Sequence, residues 1–244
     1  MSEKLDSKIA LITGGSKGIG LAIAKRLLAE GASVVICGRG AAALEAAARE
    51  LAKVHGEARV AAIRADVSKL EDVRALMAAV KNRFGGLDIL VNNAGVGVFK
   101  SVGELQPEEW HSMLDTNLSG MYYCCHEALP LLKQSKGAYI FNIGSLAGRY
   151  ASAGGGGYNA SKFGVVGFSE ALMLDHRKDG VRVTCVMPGS VDTGFGHPDT
   201  SKANANPWKI QPEDIADTVL HLLALPERTL VSKVEIRPSQ PPGK

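Results

Sequence analysis

Short apolar runs recur along the chain at residues 9–12, 34–37, 60–63, 87–91, 138–143 and 181–186, most without strict alternation. Each is too short for a helix, and a strand that is apolar on both sides needs cover on both faces. Right-handed βαβ crossovers provide that cover, so the pattern predicts a parallel sheet between two layers of helices. The intervening segments fit: Ile19, Ala22, Ile23 and Leu27, and later Val73, Leu76, Met77, Val80 and Phe84, fall at three- and four-residue steps. A last run, 231–236, alternates (Val234 and Ile236 against Glu235 and Arg237) and ends at Pro238, as an edge strand would.

The 244 residues show no 20–50-residue repeat and no second composition regime, so one doubly wound α/β domain over residues 1–244 is expected. Residues 194–207 form a polar loop, and 238–244 a Pro/Gly tail expected to be flexible. A net charge of +3 with interspersed signs gives no footprint for nucleic acid or an anionic membrane. No signal-peptide pattern opens the chain and no run approaches the ~20 apolar residues of a membrane span, which leaves the cytoplasm as the expected compartment. Cys37, Cys124, Cys125 and Cys185 lack CxxC spacing and are expected as buried reduced thiols. The histidines include no His-x-x-x-His; His111 and His126 are expected as ordinary helix residues, and no metal site is predicted.

Directly after the first run stands Thr13-Gly14-Gly15-Ser16-Lys17-Gly18-Ile19-Gly20, whose last glycines open the first helix. In that position glycines allow a tight turn and let backbone N–H groups and the helix dipole meet a pyrophosphate. The spacing is Gly-x-x-x-Gly-x-Gly, and Gly38-Arg39 stands where an acidic residue for a ribose 2′-hydroxyl is expected. An acid there would repel a 2′-phosphate, whereas Arg39 offers it a planar fork of donors and Lys17 adds a second cation. The expected cofactor is therefore NADP(H), with NAD(H) the alternative.

Tyr158 and Lys162 are four apart and share one helical face. An ammonium ~4 Å from a phenol, at an effective dielectric of ~20, favours phenolate by about 4 kcal/mol, lowering a pKa of ~10 by about three at most. Such a phenol exchanges protons near neutrality. Such a pair acquires meaning only in an ordered set: the glycine loop, Asn92-Asn93-Ala94-Gly95 after the fourth run, Asn117 on a long predicted helix, Ser145 past the fifth run, Tyr158-x-x-x-Lys162, then Pro188-Gly189.

On that set the chain resembles the short-chain dehydrogenase/reductase family over essentially its whole length. The resemblance implies a seven-stranded Rossmann sheet, with Asp66 and Val67 near the adenine and Asn93, Ala94 and Gly95 lining the cofactor bed. It places Pro188, Gly189, Val191 and Thr193 by the nicotinamide and pyrophosphate. It implies that Tyr158 passes a proton to a carbonyl oxygen held by Ser145, that Lys162 binds the nicotinamide ribose and lowers the Tyr158 pKa, and that Asn117 holds a proton-relaying water. Residues 194–207 then stand where the family keeps its substrate lid. A homodimer or homotetramer is expected by the same resemblance.

The implied activity is hydride transfer between a nicotinamide and the carbonyl or secondary alcohol of a small organic molecule, a carbonyl reductase or alcohol dehydrogenase. Two alternatives stand beside it. One is a reductase of 3-oxoacyl thioesters on an acyl carrier protein, for which Arg149, Arg177 and Lys178 are the candidate basic contacts, although the C-terminus lacks the Gly-Gly motif common in those enzymes. The other is a non-catalytic NADP(H)-binding sensor. Four glycines at 154–157 are entropically expensive to order and predict a mobile entrance beside Tyr158.

Overall fold

A computed structural model describes residues 5–195 and 206–241. Seven strands, β1 (Ile9–Thr13), β2 (Ser33–Gly38), β3 (Val60–Arg64), β4 (Ile89–Asn92), β5 (Tyr139–Ile143), β6 (Arg182–Pro188) and β7 (Lys233–Ile236), form one sheet in the order β3-β2-β1-β4-β5-β6-β7. Every pairing is parallel. The runs read from the sequence are these strands, and the alternating last run is an edge strand paired only to β6.

Among the described residues, seven α-helices connect and cover the sheet: α1 (Gly18–Ala29), α2 (Ala41–His55), α3 (Leu70–Phe84), α4 (Pro107–Leu114), α5 (Gly120–Leu132), α6 (Gly156–His176) and α7 (Pro212–Leu223). Alternate strand residues face different layers. Ala10 and Ile12 of β1 join Ile23, Leu27, Leu51 and Val219 on the α1, α2 and α7 side. Leu11 between them joins Val73, Leu76, Cys124 and Val165 on the α3, α5 and α6 side. Burial on both faces explains why the strands read as continuous apolar runs.

Helix ends follow their local chemistry. α3 carries Glu71 and Asp72 in its first turn and Lys81 and Arg83 in its last, and it stops at left-handed Gly85. α4 and α7 each open with a capping box and a proline. Between α4 and α5 the helical path widens into a π turn, Asp115–Ser119, so Asn117, expected on a regular long helix, sits on a bulge.

Because β2 and β3 lie on one side of β1 and β4 on the other, the strand order reverses between β1 and β4. Ligands of open α/β sheets bind at the carboxyl ends of strands beside such a reversal. No described helix is long and apolar enough to cross a membrane. The described residues contain no group of three or more His, Cys, Asp or Glu able to hold a metal.

Candidate active site

The loop from Thr13 to Lys17 leaves β1 beside this switch point. Gly14 and Gly18 have φ of 64° and 55°, in the left-handed region that disfavours a side chain, and a Cβ on Gly18 would lie 3.1 Å from Thr193 Cβ. The predicted residues Gly18 and Thr193, far apart in sequence, are thus neighbours. Asn93 Nδ2 donates to the carbonyls of Thr13 (2.9 Å) and Gly14 (3.1 Å), while Thr13 Oγ1 accepts from the backbone N–H groups of Asn93 and Ala94, each at 2.9 Å. The two loops on either side of the crevice are therefore tied together, and Thr13 was not singled out by its sequence context.

α1 begins at Lys17 with no side-chain cap and no acid in its first turn. The opening N–H groups of this helix end lack the side-chain oxygen that serves α4 and α7, which suits a pyrophosphate as the cap. Ser16, Lys17, Ile19 and Gly20 lie on this loop and first turn. Past β2, Arg39 is exposed between Gly38 and α2. Arg64 pairs across the sheet with Gly38, and its Nε donates to the Arg39 carbonyl at 3.2 Å. A further cation, Arg64, therefore stands beside Arg39; only strand register, invisible in local spacing, reveals it. The Asp66 carboxylate accepts from the Ser68 N–H and Oγ at 3.1 and 2.7 Å, and Val67 packs so closely on α5 that a Cβ on Gly120 would lie 2.8 Å from its carbonyl.

Ser145 follows β5 and caps a 3-10 turn, Leu146–Gly148, by accepting from Ala147 N–H at 3.1 Å. That turn lies against α6: a Cβ on Gly148 would come within 2.6 Å of the Lys162 carbonyl. Asn159 Nδ2 donates to the carbonyls of Ala147 (2.7 Å) and Tyr150 (3.1 Å), fixing the Ser145 loop one residue from Tyr158. The Ser145 hydroxyl and the Tyr158 phenol are brought together. Pro188 ends β6, the Gly189 N–H donates to Ile236 O at 2.8 Å, and Val191 bridges to Ile210.

One expectation about these residues is corrected. Lys162 is 5% exposed, and its Nζ donates to the Ile143 carbonyl at 2.8 Å while lying 5.8 Å from the centre of the Tyr158 ring. Burial pulls its pKa down to about 8. The expected depression of Tyr158 is reversed: burial pushes the phenol above its ordinary value, with the Ser145 hydroxyl acting the other way. Spacing suggested a charge interaction, but desolvation, set by tertiary packing, leads the shift of both groups.

Asn117 ties two elements of the site together. Fully buried, it accepts from Val96 N–H at 2.8 Å and donates to Val96 O (2.9 Å) and Ser161 Oγ (3.0 Å), and Ser161 donates to the Tyr158 carbonyl at 2.8 Å. Its side chain fastens the loop after Gly95 to α6. Within the run 154–157, a Cβ on Gly155 would strike Asn159 Oδ1 at 2.2 Å and one on Gly157 would meet Met113 Cε at 2.4 Å, so these two glycines sit close to neighbouring side chains at the start of α6. Of the expected lid, residues 196–205 lie outside the described residues, as do 242–244 of the tail.

A sequence profile of the short chain dehydrogenases matches residues 8–204. The chain belongs to the short-chain dehydrogenase family. An uncharacterised oxidoreductase of Staphylococcus aureus is 36% identical over 237 residues, covering 96% of this chain and 98% of the relative. Among solved structures, a metagenomic short-chain oxidoreductase in complex with NADP superposes with a TM-score of 0.84 at 34% identity, covering 97% of this chain and 99% of that one. An alcohol dehydrogenase from the archaeon Thermococcus sibiricus, complexed with 5-hydroxy-NADP, gives a TM-score of 0.87 at 34% identity and the same coverage. As a short-chain dehydrogenase the chain is an oxidoreductase on a Rossmann-type sheet, and its relatives explain why the ordered motifs converge at one sheet edge.

Proposed function

We propose that this short-chain dehydrogenase is an NADP(H)-dependent carbonyl reductase, acting on the carbonyl of small organic molecules and, in reverse, on the corresponding alcohols. The observation that carries the reading is the meeting of Ser145, Tyr158 and Lys162 at the carboxyl ends of β5 and β6, beside an α1 terminus left without a side-chain cap. NADP(H) suits the chain's own residues: Lys17, Arg39 and Arg64 supply positive charge at the 2′-phosphate corner, and structural relatives are complexed with NADP or its 5-hydroxy derivative. When bound, the nicotinamide supplies or accepts the hydride.

The protein supplies the proton and the geometry. Ser145 donates a hydrogen bond to the substrate oxygen, which polarises the carbonyl and fixes its direction. As negative charge develops on that oxygen, the Tyr158 hydroxyl transfers its proton to it, and carbonyl, hydride and proton together make the alcohol. A phenol held protonated by burial is ready as an acid at neutral pH, which favours reduction; oxidation needs the phenolate and rises with pH. Lys162 retains two further N–H donors beyond Ile143 O for a ribose hydroxyl and for the route by which Tyr158 is reprotonated.

The acyl-carrier alternative is less well supported. Arg149 is paired with Glu235 at 2.5 Å, and Arg177 and Lys178 lie past the far end of α6, about 30 Å from Tyr158 by helical rise. The same reading takes residues 1–244 as one cytoplasmic domain assembling as a homodimer or homotetramer, with residues 194–207 as the substrate lid. Incubation with a carbonyl panel and either NADPH or NADH tests it, beside Tyr158→Phe. Expected are a rate at least tenfold higher with NADPH and loss of turnover in the variant with cofactor binding kept. A tenfold preference for NADH overturns the cofactor, and absence of turnover in both forms favours a sensor.

A further inference from the structure

Two phenylalanines stand at the reacting phenol and face solvent. Phe99, in the loop after β4, is 54% exposed, and Phe195, after β6, is 42% exposed. Both pack on the Tyr158 ring, with centroids at 5.3 and 5.8 Å and planes tilted by 58° and 49°. They converge over Gly97, where a Cβ would lie 2.8 Å from Phe195 Cε1 and 3.2 Å from Phe99 Cε2. A side chain at residue 97 would part them. The Phe195 N–H donates to Thr193 Oγ1 at 3.3 Å, which anchors this ring from the cofactor side. Among the described residues, Lys100 is paired with Glu109 and Arg149 with Glu235, each at 2.5 Å. The two rings packed on the phenol are both aromatic.

Resting on the carbonyl-reductase reading, we propose that the site selects carbonyls bearing a flat aromatic group directly on the reacting carbon, aryl ketones and aryl aldehydes, whose ring is received by Phe99 and Phe195. Two phenyl rings tilted against a third are arranged to offer edges and faces to a fourth, which rewards an aromatic ring beyond what its apolar area alone would gain. A saturated ring of similar size gains the area but not the ring contacts. A charged 2-oxo acid loses hydration against the same rings.

The test compares acetophenone, cyclohexyl methyl ketone and pyruvate with NADPH, in the wild type and in Phe99→Leu and Phe195→Leu, which keep apolar bulk so that folding is preserved. Expected is a kcat/KM about tenfold or more higher for acetophenone than for the cyclohexyl ketone, carried mainly by KM, and a ratio reduced to within about threefold in each leucine variant. Equal values for the two ketones, a preference for pyruvate, or a ratio unchanged in both variants overturns the proposal while leaving a carbonyl reductase in place. Calorimetric titration of the NADPH-loaded protein with 1-phenylethanol and 1-cyclohexylethanol reads the same groove without turnover. Should no carbonyl be reduced with either cofactor, the carbonyl-reductase reading fails, and the titration alone decides the groove. Tighter binding of the aromatic alcohol that weakens in the variants supports it, and equal or absent binding overturns it.

Discussion

Lys162 carries an ammonium in a place that does not welcome one. It is 5% exposed, and burial holds its pKa near 8 against an ordinary 10.5. A lysine with a lowered pKa destabilises the fold while it is charged: the penalty is full below pH 8 and disappears as pH rises from 8 towards 10.5. The displacement corresponds to about 3 kcal/mol, and the hydrogen bond to Ile143 O returns about 1. Lys162→Met is therefore expected to stabilise the cofactor-free protein by about 2 kcal/mol at pH 7 in urea denaturation, and to lose that advantage by pH 10. A variant less stable than wild type at pH 7 would contradict the argument. At this scale the pairing of Tyr158 with Lys162 was legible, because four residues on a helix make one face. What that face meets was not: Ile143 lies 19 residues upstream and reaches the amine only because β5 ends there.

Elements, more than single residues, hold the site together. Regular strands and helices were legible from apolar periodicity, but the π turn Asp115–Ser119 was not, because one extra residue per turn barely disturbs a pattern of threes and fours. That turn aims Asn117 at Val96, and through Ser161 it ties the loop after β4 to α6, so Asn117 positions the cofactor bed and the Tyr158 turn together. Asn117→Ala removes the partners of both Val96 backbone groups and is expected to cost about 3 kcal/mol, seen as a lower urea midpoint at unchanged slope. The loosened bed should raise the Kd for NADPH by tenfold or more. Unchanged stability and affinity would mean that the loop is held by other means. The close approach at Gly155 and Gly157 eluded the sequence for a related reason: glycine permits both looseness and close approach, and the facing side chains, here Asn159 and Met113, are not visible in local spacing.

At the scale of the whole molecule, a sheet in which every strand is parallel sends all its carboxyl ends to one edge, so residues from the loops after β1 to β6 converge there although the sequence spreads them from Gly14 to Thr193. A dinucleotide laid along that edge joins the β1–β3 half to the β4–β7 half, and its binding should stabilise the entire fold. At a hundred times Kd the gain is about 2.7 kcal/mol, which for a chain of this size raises Tm by roughly 5–10 °C. Net charge is only +3, so the proposed preference for NADP(H) rests on the local charges of Lys17, Arg39 and Arg64, not on the global field. Two of these cations were visible in the sequence as a loop lysine and a missing acid; the third needed the register of β3 against β2. Exposed charges meeting a phosphate are screened by salt, whereas the pyrophosphate contacts common to both cofactors are shared and cancel in the comparison. In thermal melts at equal ligand concentration, NADP+ is therefore expected to give the larger shift at low ionic strength, with its margin over NAD+ shrinking towards 0.5 M salt. Arg64→Ala should take part of that margin away while leaving the NAD+ shift in place. A margin that ignores both salt and Arg64 would place 2′-phosphate recognition elsewhere on the chain.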